Sequence, residues 1–288
     1  MAPSKPLLIV DGDALAHRAY YALGHVTSRD GRPVGLLQGT ISMLAGAWDA
    51  FEPRAIAVAI DSREESQRHA LVPAYQAQRV GEIDDDLISQ LDALPDLIRA
   101  FGIPAICVPP WEADDVCATL ATLEEATKGT SLVLTHDRDA YQLASQQTTI
   151  VRPVSGVTEV EYVDPAGVVE RYGVRPDQVT DLIALRGDPS DNIPGAKGIG
   201  AKTAAELLQC YDDLEGVIAH AGDLTPARSR AVTDAADELR TFKVIATMQR
   251  DLPVELPPSA EPDWAAGAEA CDAAGMGRLA VRLAARAE

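Results

Sequence analysis

Acidic residues recur at the C-terminal ends of four short apolar runs. Residues 7–10 lead into Asp11, and residues 55–60 lead into Asp61. Residues 105–108 lead through Pro109, Pro110 and Trp111 into Glu112, Asp114 and Asp115, and residues 131–135 lead into Asp137 and Asp139. In an open parallel sheet the ligand crevice lies outside the carboxyl ends of the strands. These seven carboxylates would then share one rim, with Asp188 and Asp191 as candidates to join them. So many like charges are tolerated together only when protonated or neutralised by cations. Oxygen donors suit hard ions such as Mg2+ or Mn2+, whereas no His/Cys cluster favours zinc. Two such ions can activate a water and stabilise the leaving oxygen of a phosphodiester, with no Ser, Cys or His nucleophile.

A single acid at a strand–helix junction is commonly a cap. Asp13 is read that way, and Asp84-Asp85-Asp86 is read as a solvated cap. Capping alone does not require acids at four successive junctions. Glu112 and Asp115 are three apart and share a face if helical, and Asp188 and Asp191 have the same spacing. His136 lies among the acids and is read as a packed or surface histidine. The segment 195–204 is a second signal, because Gly198 and Gly200 enclose a single Ile in a tight turn into a helix. Unpaired amides at such a turn hold a phosphate, directly or through a bound cation. Lys197 and Lys202, two of only five lysines, flank it.

The elements that must position these groups alternate in the first half. Helical patterns near residues 14–23, 36–51, 86–101 and 112–126 separate the four strands, which predicts a parallel, βα-wound sheet. A polar connection over about residues 62–85 is too long for an ordinary βα loop and is marked as functional. Residues 149–152 and 158–163 are β-prone and fit a hairpin or an edge pair. Beyond Asp164-Pro165 the pattern turns helical, near 165–172, 176–185, 202–209 and 228–248, followed by a Pro-rich and then Ala-rich tail with a short final helix. The fold class expected is α/β, with a twisted parallel sheet flanked by helices and a mainly helical C-terminal region. The expected division is an α/β core over residues 1–175 and a helical region over 176–288.

At 288 residues and 47% hydrophobic, the chain buries a proper core. No apolar stretch approaches the roughly 18 residues of a membrane span. The opening hexapeptide lacks the apolar core of a signal peptide, and the four cysteines have no CxxC spacing and read as buried thiols. A cytoplasmic protein is expected. With 44 acidic and 25 basic residues the net charge is −19, which argues against non-specific nucleic-acid binding and leaves any such contact to local basic sites.

Val10-Asp11-Gly12 with His17-Arg18-Ala19-Tyr20, Ile60-Asp61, Glu112-Ala113-Asp114-Asp115-Val116 and Thr135-His136-Asp137-Arg138-Asp139 with Tyr141-Gln142-Leu143 follow one another along the chain, ahead of Gly187-Asp188-Pro189-Ser190-Asp191-Asn192-Ile193-Pro194-Gly195 and the glycine turn. In these segments, from about residue 7 to about residue 250, the chain resembles the 5′-nuclease (flap endonuclease, 5′→3′ exonuclease) family, especially the nuclease domain at the N-terminus of bacterial DNA polymerase I. The resemblance implies a PIN-like nuclease core in which the nine acids bind two or three Mg2+ or Mn2+ ions. It places the glycine turn in a helix-two-turn-helix motif at about residues 182–210 that grips duplex DNA with a K+ ion. The polar connection matches an arch that passes a 5′ single strand. Arg68, Tyr75 and Arg79 match positions that contact that strand or its scissile phosphate, and Arg79 is counted as catalytic. Arg18, Lys197, Gly198, Gly200, Lys202 and Thr203 complete the implied DNA contacts, and Tyr20 or Tyr21 is a further base-stacking candidate. The family usually has lysine after the arch tyrosine, and here Gln76 stands in its place; the stretch after Arg79 lacks the usual prolines and adds acids.

The implied function is hydrolysis of DNA at 5′ flaps, nicks and 5′ ends in Okazaki-fragment processing and repair, by a monomer with a functional link to a DNA polymerase and ligase and none to a membrane. The chain has no room for a polymerase domain, so a stand-alone nuclease or an excised fragment is expected. A haloacid-dehalogenase-type phosphatase would also use Asp11-Gly12-Asp13, Thr135 and the acids after Gly187. It requires a lysine between its second and last motifs, and none occurs between Lys128 and Lys197. It also gives no role to Glu112, Asp114 and Asp115. A non-catalytic DNA-binding paralogue would have lost acids, whereas all nine are present here.

Overall fold

Alternation with a period of two decides how the central strand is buried. In β1 (Leu7–Asp11), Leu7 and Ile9 enter one hydrophobic core while Leu8 and Val10 enter the other, all fully buried. Each such side chain contributes about 1.5–3 kcal/mol by leaving water, so β1 must be covered on both faces. The computed structural model describes residues 5–77, 84–157 and 159–287. Its sheet has the order β3-β2-β1-β4-β5-β6, with β2 (Ala55–Ala59), β3 (Ala105–Ile106), β4 (Ser131–Leu134), β5 (Thr148–Ser155) and β6 (Glu159–Val163). All pairs are parallel except β5 with β6. The two β-prone runs thus do both things open to them, with β5 joining the parallel sheet and β6 closing its edge as an antiparallel partner.

Strand order reverses between β1 and β4, so the crevice of a doubly wound sheet opens beside the ends that carry Asp11 and Asp137. On one face lie α1 (Gly12–Leu23), α2 (Gly35–Phe51) and α4 (Asp85–Arg99). The other face carries α5 (Ala113–Ala126) and then α6 (Pro165–Tyr172), α7 (Val179–Arg186), α8 (Ala201–Tyr211), α9 (Leu214–Ala219), α10 (Pro226–Asp234) and α11 (Ala236–Ala246). The tail forms α12 (Trp264–Ala273) and α13 (Gly277–Ala284), which return to the first face and pack with α2 and α4. Residues 176–288 therefore divide their packing between both cores. Residues 267 and 101 meet so closely that a Cβ on Gly267 would fall 2.1 Å from the Phe101 ring.

Several boundaries differ from those the sequence predicts. The third strand is only two residues long, because the chain leaves the sheet edge after Ile106 and turns, with Trp111 N donating to Val108 O. The polar connection contains a short helix, α3 (Gln67–Leu71). The region 228–248 is two helices, α10 and α11, rather than one. Asp84 caps α4 by accepting from Asp86 N, and all three acids of that run are exposed, as expected of a solvated cap. Cys117 and Cys271 are buried, but Cys107 and Cys210 are exposed, which corrects the reading of all four as buried. Among the described residues, no helix is long and apolar enough to cross a membrane.

Candidate active site

The carboxyl ends of the parallel strands are joined by their own side chains. Asp11 caps α1, its Oδ1 accepting from Ala14 N at 3.0 Å, and its Oδ2 accepts from Thr135 Oγ1 at 2.8 Å. Thr135 Oγ1 then accepts from Asp137 N at 3.0 Å, and Asp137 Oδ1 accepts from Asp139 N at 2.8 Å. One hydroxyl thereby ties the ends of β1 and β4. Asp61 Oδ1 accepts from Ala113 N at 2.7 Å and so fastens the first turn of α5 to the end of β2. Asp13 is not the cap. The helix starts directly after Asp11, which takes that role, while Asp13 is buried and its Oδ2 accepts from Asp61 N at 2.7 Å.

A second group of acids comes from the loop after α7. Asp188 and Ile193 exchange two backbone hydrogen bonds of 2.8 Å, and Asp188 Oδ1 accepts from Ser190 N at 2.8 Å. The loop closes on itself through glycine: at Gly195, φ is +65°, and a Cβ would lie 2.3 Å from Gly187 N. This fixes the chain that carries Asp188 and Asp191. The foot of the polar connection leans on the same loop. Gln76 N donates to Asp191 O at 3.1 Å, and Gln76 Nε2 donates to Asp191 Oδ1 at 3.0 Å and to the Tyr75 hydroxyl at 2.9 Å. Tyr75 in turn donates to Glu112 Oε2 at 3.2 Å, and Asn192 Nδ2 donates to Ala74 O at 2.7 Å.

These contacts surround a cleft of about 850 Å³ lined by Asp11, Asp13, Asp61, Glu112, Asp114, Asp137, Asp139, Asp188 and Asp191. Eight of the nine acids singled out by sequence are therefore together, and the ninth is not. Asp115 is fully buried and forms a two-pronged ion pair with Arg68, both contacts 2.8 Å. It also accepts from Glu112 N at 3.2 Å and Gln249 N at 2.8 Å. Arg68, which the resemblance places against the DNA strand, is buried for the same reason, with its Nε donating to Ile245 O at 2.7 Å. The pair ties α3, α5 and the end of α11 into the wall of the cleft. Tyr75 is also buried, edge-on to His69 at 5.5 Å, so it packs rather than offering an open face for a base.

Burial and mutual repulsion make Asp11, Asp61, Asp114 and Asp139 hard to ionise. Burial, with Asp13 and Asp137 nearby, raises Asp11 from an ordinary 3.8 to about 6. Burial, then Asp13, Asp11 and Glu112, raises Asp61 to about 8. Asp114 is raised well above its ordinary value by burial and by Asp137, Asp11, Asp61 and Glu112. Asp139 is raised likewise by burial and by Asp137, Asp191 and Asp188, with Arg186 opposing them. Burial holds His136 down at about 4, with Arg18 and Arg152 acting in the same direction, so at neutral pH it is an uncharged partner for Arg18 Nη1 at 3.1 Å. Among the described residues, no three His, Cys, Asp or Glu side chains close around one point as a preformed ion cage. The acids stand instead around an open cleft, and a set of repelling carboxylate oxygens fits hard divalent cations.

The glycine turn lies at the other side of the acid loop. Ile199 is its buried anchor, Gly198 has φ +78°, and Gly200 N-caps α8 in an extended conformation. Lys197, Gly198, Gly200 and Lys202 are exposed around it, while Thr203 Oγ1 accepts from Arg228 Nη2 at 3.3 Å. Lys202 reaches toward Glu206 at 4.0 Å and stays 91% exposed. Arg18 is partly buried, its Nη2 donating to Val154 O at 2.9 Å. Tyr21 is 81% exposed, and the Tyr20 hydroxyl donates to Asp84. Arg79 lies outside the described residues. Thr135 and Arg186 are site residues that sequence reasoning passed over as binding groups. The signal for Arg186 was a cation placed directly before Gly187-Asp188.

Two family models match consecutive parts of this chain: the 5′-3′ exonuclease N-terminal resolvase-like domain over residues 6–173, and the 5′-3′ exonuclease C-terminal SAM fold over residues 174–264. A thermostable DNA polymerase I of Thermus thermophilus is 37% identical over 264 residues, covering 91% of this chain and 31% of that protein. DNA polymerase I of Mycobacterium tuberculosis is 40% identical over 218 residues, covering 75% of this chain and 24% of that protein. The chain thus spans about a third or less of the length of these relatives. The bacteriophage T5 flap endonuclease, solved as a pseudo-enzyme-product complex with DNA and metal ions, superposes with a TM-score of 0.71 at 17% identity over 98% of this chain and 99% of its own. At that identity the likeness is one of fold.

Proposed function

Because this chain belongs to the 5′-3′ exonuclease family, we propose that its cleft hydrolyses DNA phosphodiesters with two or three Mg2+ or Mn2+ ions, as a 5′ flap endonuclease and 5′→3′ exonuclease acting on flaps, nicks and 5′ ends. One observation carries this reading: eight carboxylates from the ends of β1, β2 and β4, the start of α5 and the loop after α7 line one cleft. Asp11, Asp61, Glu112, Asp114, Asp137, Asp139, Asp188 and Asp191 would hold the ions. Asp115 is reserved for Arg68. When bound, the ions supply charge neutralisation for the phosphate and an activated water. The protein's own part is positional. Thr135 fixes Asp11 against Asp137, Asp13 and Ala113 fix Asp61, and Gln76 with Tyr75 spans Asp191 and Glu112.

Away from the acids, the exposed turn with Lys197, Gly198, Gly200, Lys202 and Thr203 would take the duplex backbone, with K+ as a bridging ion. Arg18 and Arg79 are the remaining contacts proposed, with Arg79 at the scissile phosphate. The likeness to DNA polymerase I relatives supports work beside a DNA polymerase; with it we propose a cytoplasmic monomer that also acts beside a ligase in Okazaki-fragment processing and repair. The test is a labelled 5′-flap duplex incubated with Mg2+ or with EDTA, followed by mapping of product length. Cleavage near the single-strand/duplex junction, only with Mg2+, is expected. Release of terminal phosphate alone would identify a phosphatase, and retardation without cutting a binding module.

A further inference from the structure

Arg186 ends α7 with its side chain facing the acid cleft, and it is only 17% exposed. Its Nη2 stands 3.4 Å from Asp188 Oδ2, and its guanidinium lies 5.3 Å from the centre of the Tyr172 ring. Tyr172 in turn packs against Tyr141 at 5.5 Å. The Arg186 Nε is buried without a hydrogen-bond partner, and the buried Tyr172 hydroxyl meets the guanidinium only loosely, short of a well-formed hydrogen bond. The guanidinium is therefore held by stacking and one loose ion pair, without the second prong and the Nε contact that Arg68 has. Arg68, a buried arginine beside the cleft, is held two-pronged by Asp115 and also reaches Glu112 Oε1 at 3.3 Å. Among the described residues, Arg186 stands beside both Asp139 and Asp188 with carboxylates around it, while Arg138, which also lines the cleft, is exposed.

We propose that Arg186 is a built-in counter-ion, which holds the Asp188 side of the cleft together before a divalent ion arrives and competes with that ion for the same oxygens. This deepens the metal-dependent reading above and rests on it. A fixed positive charge beside the site lowers the electrostatic gain of adding a second one. It also relieves carboxylate repulsion in the ion-free protein. The loose pairing with Asp188 suits a cation that must yield its partner. Arg186 is here a positioning residue and not a catalytic one.

The experiment titrates Mn2+ into the full chain by calorimetry and follows thermal unfolding in EDTA, for the parent, Arg186→Met and Arg186→Lys. The Met variant should bind Mn2+ about three- to tenfold more tightly at one site, the range expected for losing a partly screened charge near a dication. Its unfolding midpoint in EDTA should fall, and Mn2+ should restore it. The Lys variant, which keeps the charge, should bind Mn2+ like the parent. Unchanged or weaker Mn2+ binding by the Met variant would overturn the inference. If the Met variant does not fold, Arg186→Gln carries the same expectation and the same refutation. A parent that takes up no Mn2+ would remove the metal reading itself, whereas binding by the parent with no gain in the Met or Gln variant removes only the counter-ion.

Discussion

At the scale of single residues, the decisive difference lies between Asp114 and Asp115. Spacing puts Glu112 and Asp115 on one helical face, yet α5 begins at Ala113, so Glu112 becomes its N-cap and Asp115 turns inward. There it meets Arg68 from 47 residues earlier, a partner that no local pattern announces. Removing one member leaves the other as an unpaired charge in a dry site. Arg68→Ala should therefore cost about 3–5 kcal/mol in urea unfolding. Arg68→Met combined with Asp115→Leu should recover most of that loss; if the double change is as unstable as the single one, the pair has some other role. Asp137→Ala has the opposite profile. It removes a like charge from the cleft, so cleavage in Mg2+ should be abolished while the unfolding midpoint in EDTA stays level or rises. Near-normal turnover would take Asp137 out of the machinery. The cleft was legible because its acids stand at strand ends, where topology alone collects them. The buried ion pair was not, because side-chain direction depends on where a helix starts.

At the scale of elements, apolar runs gave the strands and their order of appearance, since β1, β2 and β4 are buried on both faces and leave no alternation to misread. Helix breaks were less visible: α10 and α11 divide at Ala235, which is not a helix-breaking residue. The helix–turn–helix of α7 and α8 depends on close backbone approach instead of pattern. A methyl on Gly195 would stand 2.3 Å from Gly187 N and 2.6 Å from Arg186 C. Gly195→Ala should therefore destabilise by about 1–3 kcal/mol and should also weaken Mn2+ uptake, since Asp188 and Asp191 ride on that loop. A variant as stable as the parent would show that the loop can give. On the far side of the same element, Lys202 is exposed and only loosely drawn to Glu206. Lys202→Ala should lower the salt slope of duplex binding by about one unit if one phosphate contact is lost, and an unchanged slope would remove it from the interface.

At the scale of the whole molecule, a net charge of −19 with the acids concentrated in one cleft couples folding to protons and cations. Asp11 and Asp61 are raised to about 6 and about 8 by burial first and by neighbouring carboxylates second. In the ion-free folded state they hold protons that the unfolded chain has already released near pH 4. The stabilisation this gives is fully present below that pH and is lost as pH rises through about 6 and then about 8. In EDTA, the unfolding midpoint should therefore decline between pH 5 and about pH 8.5, opposite to a protein whose carboxylates are paired. Divalent ions bind the deprotonated form, so the midpoint gain from Mn2+ should grow over the same interval and flatten the decline. Asp61→Asn removes a carboxyl that titrates near pH 8, so it should stabilise the ion-free protein most at the alkaline end and shrink the Mn2+ gain there. A midpoint in EDTA that rises with pH, or a Mn2+ gain that is constant across it, would mean that these carboxylates are already neutralised within the fold.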